Sequence, residues 1–360
     1  MIKVGSDFSG VGAFNQALNR LGIEYKELFA CDMDKYARQT FIRNYGEPEY
    51  YPTNVYEREI PSESLDIYMT SPPCQAFSLA GKRLGKDDQR GILFFNSHEF
   101  IKVNKPRYFI FENVKGLLSD DNGKTFKEWV NMLGGKSING VPVIFPYEDS
   151  VPYHLYWQVL NAKHHGVPQN RERVFLIGIR DDADNNFQFP REEHLSKKLK
   201  DVLEDDVDDK YFLTEKMLNF VLTTNFQEAK PIDINKYAAP CVKVGGDVSC
   251  FDTNKLKIKS GTEKGYEEAK EGDSINFSIP NLETRRGRVG KGVAQTLDTS
   301  CNQGTFDGYK IRRLTPRECF RLMDFPDTFT WPVSDSQAYK QAGNSIVVNV
   351  LYKIIKNLKL

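Results

Sequence analysis

The segment SPPCQAF (71–77) sets Cys74 behind Pro72 and Pro73. The two rings fix their own φ and keep the preceding residues out of helical geometry, so the thiol is expected on a stiff loop at a fixed address. Free cysteines are most often small packed hydrophobes, and the loop alone does not make a nucleophile. Two other stretches supply partners. FIFENV (109–114) reads as an apolar strand ending in Glu112, and a carboxyl at the mouth of a buried strand must be paired or useful, a salt bridge being the plain alternative. QNRER (169–173) alternates Gln169, Arg171 and Arg173 at period two, which puts three donors on one side of an extended segment. A thiolate, a proton-donating carboxyl and a cation suit addition to an electron-poor heterocycle. The C5 carbon of cytosine is too weak a nucleophile to attack a methyl sulfonium, but adding a thiolate at C6 makes an enamine that can. That addition needs a proton or strong hydrogen bond at N3 and a cation near O2. Cys74, Glu112 and Arg171 are the candidates for these roles, and a thiol both ionises near neutral pH and leaves again at the final elimination.

Such groups need a scaffold, and the first 180 or so residues offer one. Short apolar runs at 2–8, 27–31, 65–70, 107–111, 156–160 and 173–180 alternate with amphipathic ones, the pattern of an α/β sheet. Between the first two runs, Phe14, Ala17, Leu18 and Leu21 recur at helical spacing and Gly22 stops them, giving a βαβ unit. From about 181 to 312 the periodicity dissolves into Gly, Asn, Asp and Lys, and a second, smaller, irregular domain is expected there. Within it DVLEDDVDD (201–209) reads as a solvated acidic loop. Residues 285–313 form a basic stretch instead, with Arg285, Arg286, Arg288, Lys291, Lys310, Arg312 and Arg313 against Asp298 and Asp307. The last segment, 343–358, places Ile346, Val347, Val350, Leu351, Ile354, Ile355 and Leu358 on one helical face that should return to the α/β domain.

Bulk composition narrows the class. With 360 residues, 40% of them hydrophobic, the chain can bury one large core or two. Lys plus Arg equals Asp plus Glu at 49 each, so any nucleic-acid surface must be local. The cysteines, at 31, 74, 241, 250, 301 and 319, form no CxxC pair, which argues against zinc and a disulfide framework and for a reduced, cytoplasmic setting. No secretory leader or long apolar span is expected. The first turn, DFSGVGAF (7–14), carries Gly10 and Gly12, but Asn15 replaces the third glycine of a dinucleotide fingerprint. A cofactor without phosphates, such as S-adenosylmethionine, suits it better. Asp32 could then take ribose hydroxyls and Asp66 an adenine amino group, although an aspartate at a strand end is often only a turn residue.

In order along the chain, DFSGVGAF, CDMDKYA (31–37), LDIYMTSPPCQAFSLAGKR (65–83), ENVKGLL (112–118), QNRER, RLTPRECFRLMDFPD (313–327) and QAGNSIVVNVL (341–351) resemble the cytosine-C5 DNA methyltransferases of bacteria and phages. The resemblance implies a Rossmann-like doubly wound sheet of the S-adenosylmethionine-dependent methyltransferase fold over 1–183, a target-recognition domain over 184–332 and a returning helix over 333–360. It implies that Cys74 is the nucleophile, that Glu112 activates N3, that Arg171 contacts the base and that Arg173 braces the catalytic loop, with Gln169 counted among the catalytic residues. Around S-adenosylmethionine it places Phe8, Gly10, Gly12, Asp32, Met33, Asp66, Ile67, Pro72, Asn344 and Ser345. Thr296-Leu297 stands for the Thr-Leu pair of the recognition domain, and Arg285, Arg286 and Arg288 are expected to hold phosphates. The implied partner is double-stranded DNA, with its target base flipped out. A cognate restriction endonuclease encoded nearby is a candidate second partner, and the enzyme is expected as a monomer. Two departures stand out: Ser6 replaces the acid that usually lies two residues before the Phe of the first motif, and Asp32-Met33 replace Glu-Trp. An RNA methyltransferase of the tRNA type is the nearest rival, but its Cys-Phe-Thr signature is absent. A catalytically dead relative would be expected to have lost Cys74 or Glu112.

Overall fold

The computed structural model describes residues 1–73, 92–183, 186–223, 242–244, 247–249, 256–278, 287–307 and 311–360. Strands β1 (Ile2–Asp7), β2 (Tyr25–Cys31), β3 (Ile67–Thr70), β4 (Tyr108–Val114), β5 (Ser137–Ile138), β6 (Val141–Pro142), β7 (Tyr153–Asn161) and β9 (Glu172–Arg180) form an eight-stranded sheet in the order β2-β1-β3-β4-β9-β7-β5-β6; β8 (Gln169–Asn170) stands outside it. Strands β2, β1, β3 and β4 run parallel, while β9 is antiparallel to both β4 and β7. The expected doubly wound sheet is therefore present with an antiparallel half. The chain leaves β1 toward β2 on one side and returns to β3 on the other, so the crevice lies beyond the C-terminal ends of β1 and β3.

Period-two alternation sends side chains into two cores. Tyr108, Ile110, Phe175 and Ile177 face a cluster with helix α1 (Ala13–Leu21), while Phe109, Phe111, Val174 and Leu176 face one that also buries Phe100 of helix α3 (Ile92–Asn104) and Trp129 of helix α4 (Lys124–Leu133). Helix α2 (Lys35–Tyr45) is capped by Asp34, whose carboxylate accepts from the Tyr36 and Ala37 amides. A third cluster, from Leu213 to Ile311, includes Leu218 and Val221 of helix α5 (Glu215–Val221), Ile258, Ile275 and Phe306. Its principal sheet has four short strands, at Ser274–Asn276, Val289–Gly290, Gln303–Phe306 and Ile311–Arg313. This second core is narrower than the 184–332 expected. Phe187, Leu199, Ala294, Leu297 and Leu314, together with Cys319 and Phe320 of helix α6 (Pro316–Leu322), belong to the first core.

The C-terminal segment returns to the α/β unit as expected, but as two helices, α7 (Asp335–Asn344) and α8 (Val348–Lys356), rather than one over 343–358. Ser345 is extended, and its carbonyl and that of Gly343 are turned onto Arg171. Beyond the break, α8 buries Val350, Leu351, Ile354 and Ile355 in the core that also holds Phe14 and Leu18 of α1. No helix among the described residues is long and apolar enough to cross a membrane.

Glu27 on β2 has no sequence explanation. One of its oxygens accepts from the Asn15 amide at 3.1 Å, and burial pushes its pKa up to about 7. A carboxyl raised in this way stabilises the fold in its neutral form, and that contribution is lost as pH rises through about 7. Glu27→Gln is accordingly expected to be more stable than the parent at pH 8 by on the order of 2 kcal/mol, with the gap closing toward pH 4.5. Denaturant midpoints at the two pH values measure this; a constant gap would mean the carboxyl carries no buried charge.

Candidate active site

The comb and the strand mouth meet as their registers require. Val114 on β4 pairs with Arg173 on β9, so Arg173 is the diagonal neighbour of Glu112 on one face. Its Nε lies 3.1 Å from Glu112 Oε1. The Glu112 side chain is buried, and burial raises its pKa against the opposing pull of Arg173 and Arg171. A carboxyl held toward its neutral form can donate as well as accept. Next to it, Asn113 Nδ2 donates to the Pro72 carbonyl at 3.1 Å, tying the strand to the chain that leads into Cys74. Cys74 itself lies outside the described residues.

Gln169 and Arg171 meet in an interior seam, both bonded to the Leu297 backbone, whereas Arg173 lies in the main sheet. Gln169 is fully buried, donates to the Leu322 carbonyl at 2.7 Å and accepts from the Leu297 amide. Arg171 is 3% exposed and donates to the backbone carbonyls of Leu297, Gly343 and Ser345 at 3.3, 2.9 and 2.8 Å, its Nε having no partner among the described residues. Burial, with Arg173 nearby, brings its pKa down to about 9. This corrects the expectation for the two arginines: the fork of Arg171 is engaged by the backbone, and Arg173 is the one beside Glu112. Arg171→Met would leave those carbonyls without donors in the interior and is expected to lower stability by about 3 kcal/mol, read from a denaturation midpoint.

Thr296-Leu297 belongs to the same seam. Ala294–Gln295 pairs in parallel with β8, Thr296 Oγ1 donates to the Asn170 carbonyl at 2.8 Å, and Leu297 is buried in the first core. A Cβ on Gly343 would stand 2.5 Å from the Asp298 carbonyl oxygen, so only glycine lets α7 approach this loop. The expected Thr-Leu pair thus has an exposed threonine and a leucine that anchors.

The cofactor candidates divide. Phe8 and Gly10 form the turn after β1 at φ +58° and +55°, and Gly12 caps α1 at φ +84° with a Cβ position blocked by the Tyr45 ring. Among the described residues nothing lies within 4 Å of where a Gly10 Cβ would be, so bare backbone borders open space there. The Asp32 carboxylate accepts from the Gly10 amide at 2.7 Å and the Asp34 amide at 2.8 Å, with lone pairs left for a diol. Met33 is exposed beside it, Pro72 is buried at the adjacent strand end, Asn344 is exposed and Ser345 is buried at the α7–α8 break. A nucleoside with free ribose hydroxyls and no phosphate fits this donor set. Asp66 and Ile67 do not belong to it. They lie at the start of β3, Asp66 accepting from the Lys3 amide at 2.8 Å and Ile67 fully buried, whereas parallel strands present ligands at their C-terminal ends.

One residue with no sequence signal stands on this side. The Tyr51 hydroxyl is 3.2 Å from Ser9 Oγ, and its ring lies 3.8 Å under the Arg38 guanidinium. The Asp32 amide donates to the neighbouring Pro52 carbonyl, which holds the segment along the end of β2.

The basic stretch is not one surface. Arg288 is 1% exposed and donates to the Asn276 and Ser278 carbonyls, Arg312 forms a buried ion pair with Glu318, and Lys291 meets the Glu268 carbonyl and Asp273. Arg288 is therefore corrected from a phosphate ligand to a strut of the second domain. Arg285, Arg286 and Lys310 lie outside the described residues.

The profile of the C-5 cytosine-specific DNA methylases matches residues 2–360. The type II methyltransferase M.HhaI of Haemophilus parahaemolyticus is 33% identical over 353 residues, covering 98% of this chain and 92% of that protein. The orphan methyltransferase M.SPRI of Bacillus phage SPR is 31% identical, covering 99% and 97%. Among solved structures, the S. pombe Dnmt2 methyltransferase superposes with a TM-score of 0.59 at 20% identity, covering 99% of this chain and 97% of its own, a likeness of fold alone. The chain belongs to the C-5 cytosine-specific DNA methylase family, enzymes that use S-adenosylmethionine to methylate cytosine in DNA.

Proposed function

We propose that this enzyme methylates a cytosine flipped out of duplex DNA through a covalent adduct between Cys74 and C6 of the base. The observation that carries the reading is the Glu112 carboxyl, buried at the end of β4, held toward its neutral form and paired with Arg173, one residue from the Asn113 bond to the Cys74 loop. Glu112 presents a proton to N3, and Arg173 offsets charge as Cys74 adds to C6. S-adenosylmethionine, when bound, supplies an electrophilic methyl group. Phe8, Gly10, Gly12, Asp32 and Met33, with Pro72, Asn344 and Ser345, hold it, and Tyr51 joins them. The base must leave the helix because C6 is unreachable inside a duplex.

Residues 213–313 are assigned to target recognition, with Thr296 bridging to the seam and Arg285 and Arg286 on phosphates. Arg285→Ala with Arg286→Ala should flatten the salt dependence of DNA binding by roughly 0.9 log units per lost phosphate contact. Arg288→Ala should instead lower stability by about 2 kcal/mol, since it leaves buried carbonyls without a donor. An unchanged salt slope in the double variant would remove that pair from the DNA surface. A monomer acting in the cytoplasm, with a cognate restriction endonuclease encoded nearby, fits the same reading. Duplex DNA carrying 5-fluorocytosine tests the mechanism, because fluorine cannot leave as a proton and the adduct persists; mass spectrometry without a Cys74 adduct from an active enzyme would overturn it.

A further inference from the structure

Asp7 ends β1 directly before the Phe8 turn and is 1% exposed. Its two oxygens accept from Arg58 Nε at 3.0 Å and Arg58 Nη2 at 2.9 Å, and the second oxygen also accepts from the Tyr68 hydroxyl at 2.6 Å. Arg58 is equally enclosed, its guanidinium 4.5 Å from the Phe100 ring centroid. Composition and periodicity gave no sign of this trio. A buried ion pair is weak evidence for stability, since an apolar pair of similar volume often does as well or better.

The position of the trio gives it another use. Asp7 belongs to the strand that carries Phe8 and Gly10, Tyr68 to the strand that carries Pro72 beyond its end, and Arg58 to the segment that carries Tyr51. One guanidinium, one carboxylate and one phenol thus join three walls of the same crevice. Phe8 sits at φ +58°, a conformation that costs a non-glycine residue free energy and persists only when its neighbours hold it. On its far side the turn is fixed by the bond from the Gly10 amide to Asp32, and on its near side Asp7 is the residue that the trio fixes.

We infer that Asp7, Arg58 and Tyr68 are positioning residues for S-adenosylmethionine, setting the Phe8–Gly12 turn against the Pro72 and Tyr51 walls. The inference rests on the cofactor site described above. Since either single truncation strands a buried charge and can unfold the chain, the decisive variant is Asp7→Leu combined with Arg58→Met, which removes both charges and keeps the volume. Isothermal titration with S-adenosylmethionine should show affinity lower by roughly tenfold or more, as expected when a binding group is misplaced by about an ångström. The melting temperature and duplex-DNA affinity without cofactor should match the parent, and the turnover rate at saturating cofactor should fall far less than the KM for S-adenosylmethionine rises. Tyr68→Phe, which loses one hydrogen bond and no charge, should give a smaller change of the same kind. Parent-like cofactor affinity in a folded double variant overturns the inference. A parent that bound no S-adenosylmethionine would overturn the cofactor site itself, so the two failures are distinguishable.

Discussion

Cys74→Ser is expected to lower methyl transfer by roughly 10⁴-fold or more while leaving S-adenosylmethionine affinity at the parental value. A serine hydroxyl keeps the shape but ionises far above neutral pH, so the attacking anion is almost absent, and an alkoxide is a poor leaving group for the final elimination. Asp32, Gly10 and Asn344 of the cofactor wall lie on elements other than the segment that leads into Cys74. Two measurements separate chemistry from assembly, single-turnover transfer of labelled methyl groups to DNA and calorimetric titration with the cofactor. Appreciable transfer by the serine variant would remove the covalent step from the mechanism. Lost cofactor binding would recast Cys74 as a structural residue of its loop.

Much of the α/β unit could be read from the chain because its signals are local. The apolar runs and the Gly22 stop are consequences of strand and helix periods, and they fall where the structure has β1, α1, β2, β4, β7 and β9. Glu112 was legible for a related reason, since one carboxyl at the end of an otherwise apolar strand asks for a partner. What periodicity cannot supply is pairing between distant segments. Arg288, Arg312 and Lys291 read as a basic patch because their partners, the Asn276 and Ser278 carbonyls, Glu318 and Asp273, are recruited by the fold. Asp66 was misplaced because a sequence gives a strand's residues more readily than its end, and it sits at the start of β3. The Asp7–Arg58–Tyr68 trio joins residues 51 and 61 positions apart, with nothing nearby in the chain to mark them as partners.

The role of Glu112 has a sharper test in its pH dependence than in rate alone. Glu112→Gln keeps the shape and can donate an amide hydrogen bond to N3, but it cannot deliver a proton, so a loss of roughly 100-fold or more in single-turnover rate is expected. Burial already holds the parental carboxyl above the ordinary glutamate range, opposed by Arg173 and Arg171. The working form is the protonated one, so the parental rate should fall as pH rises through that raised pKa. Attack by a thiolate adds an acid limb that does not depend on Glu112, so the profile has two limbs. The glutamine variant should keep the acid limb and lose the alkaline one, because the amide does not titrate. Fold should be little affected, since the introduced amide oxygen can still accept from Arg173 Nε. A variant that matched the parent in rate and kept both limbs would make Glu112 an anchor for Arg173, and the proton at N3 would have to come from another group. A reduced rate with the alkaline limb intact would assign that limb to a different residue while leaving Glu112 a hydrogen-bonding role.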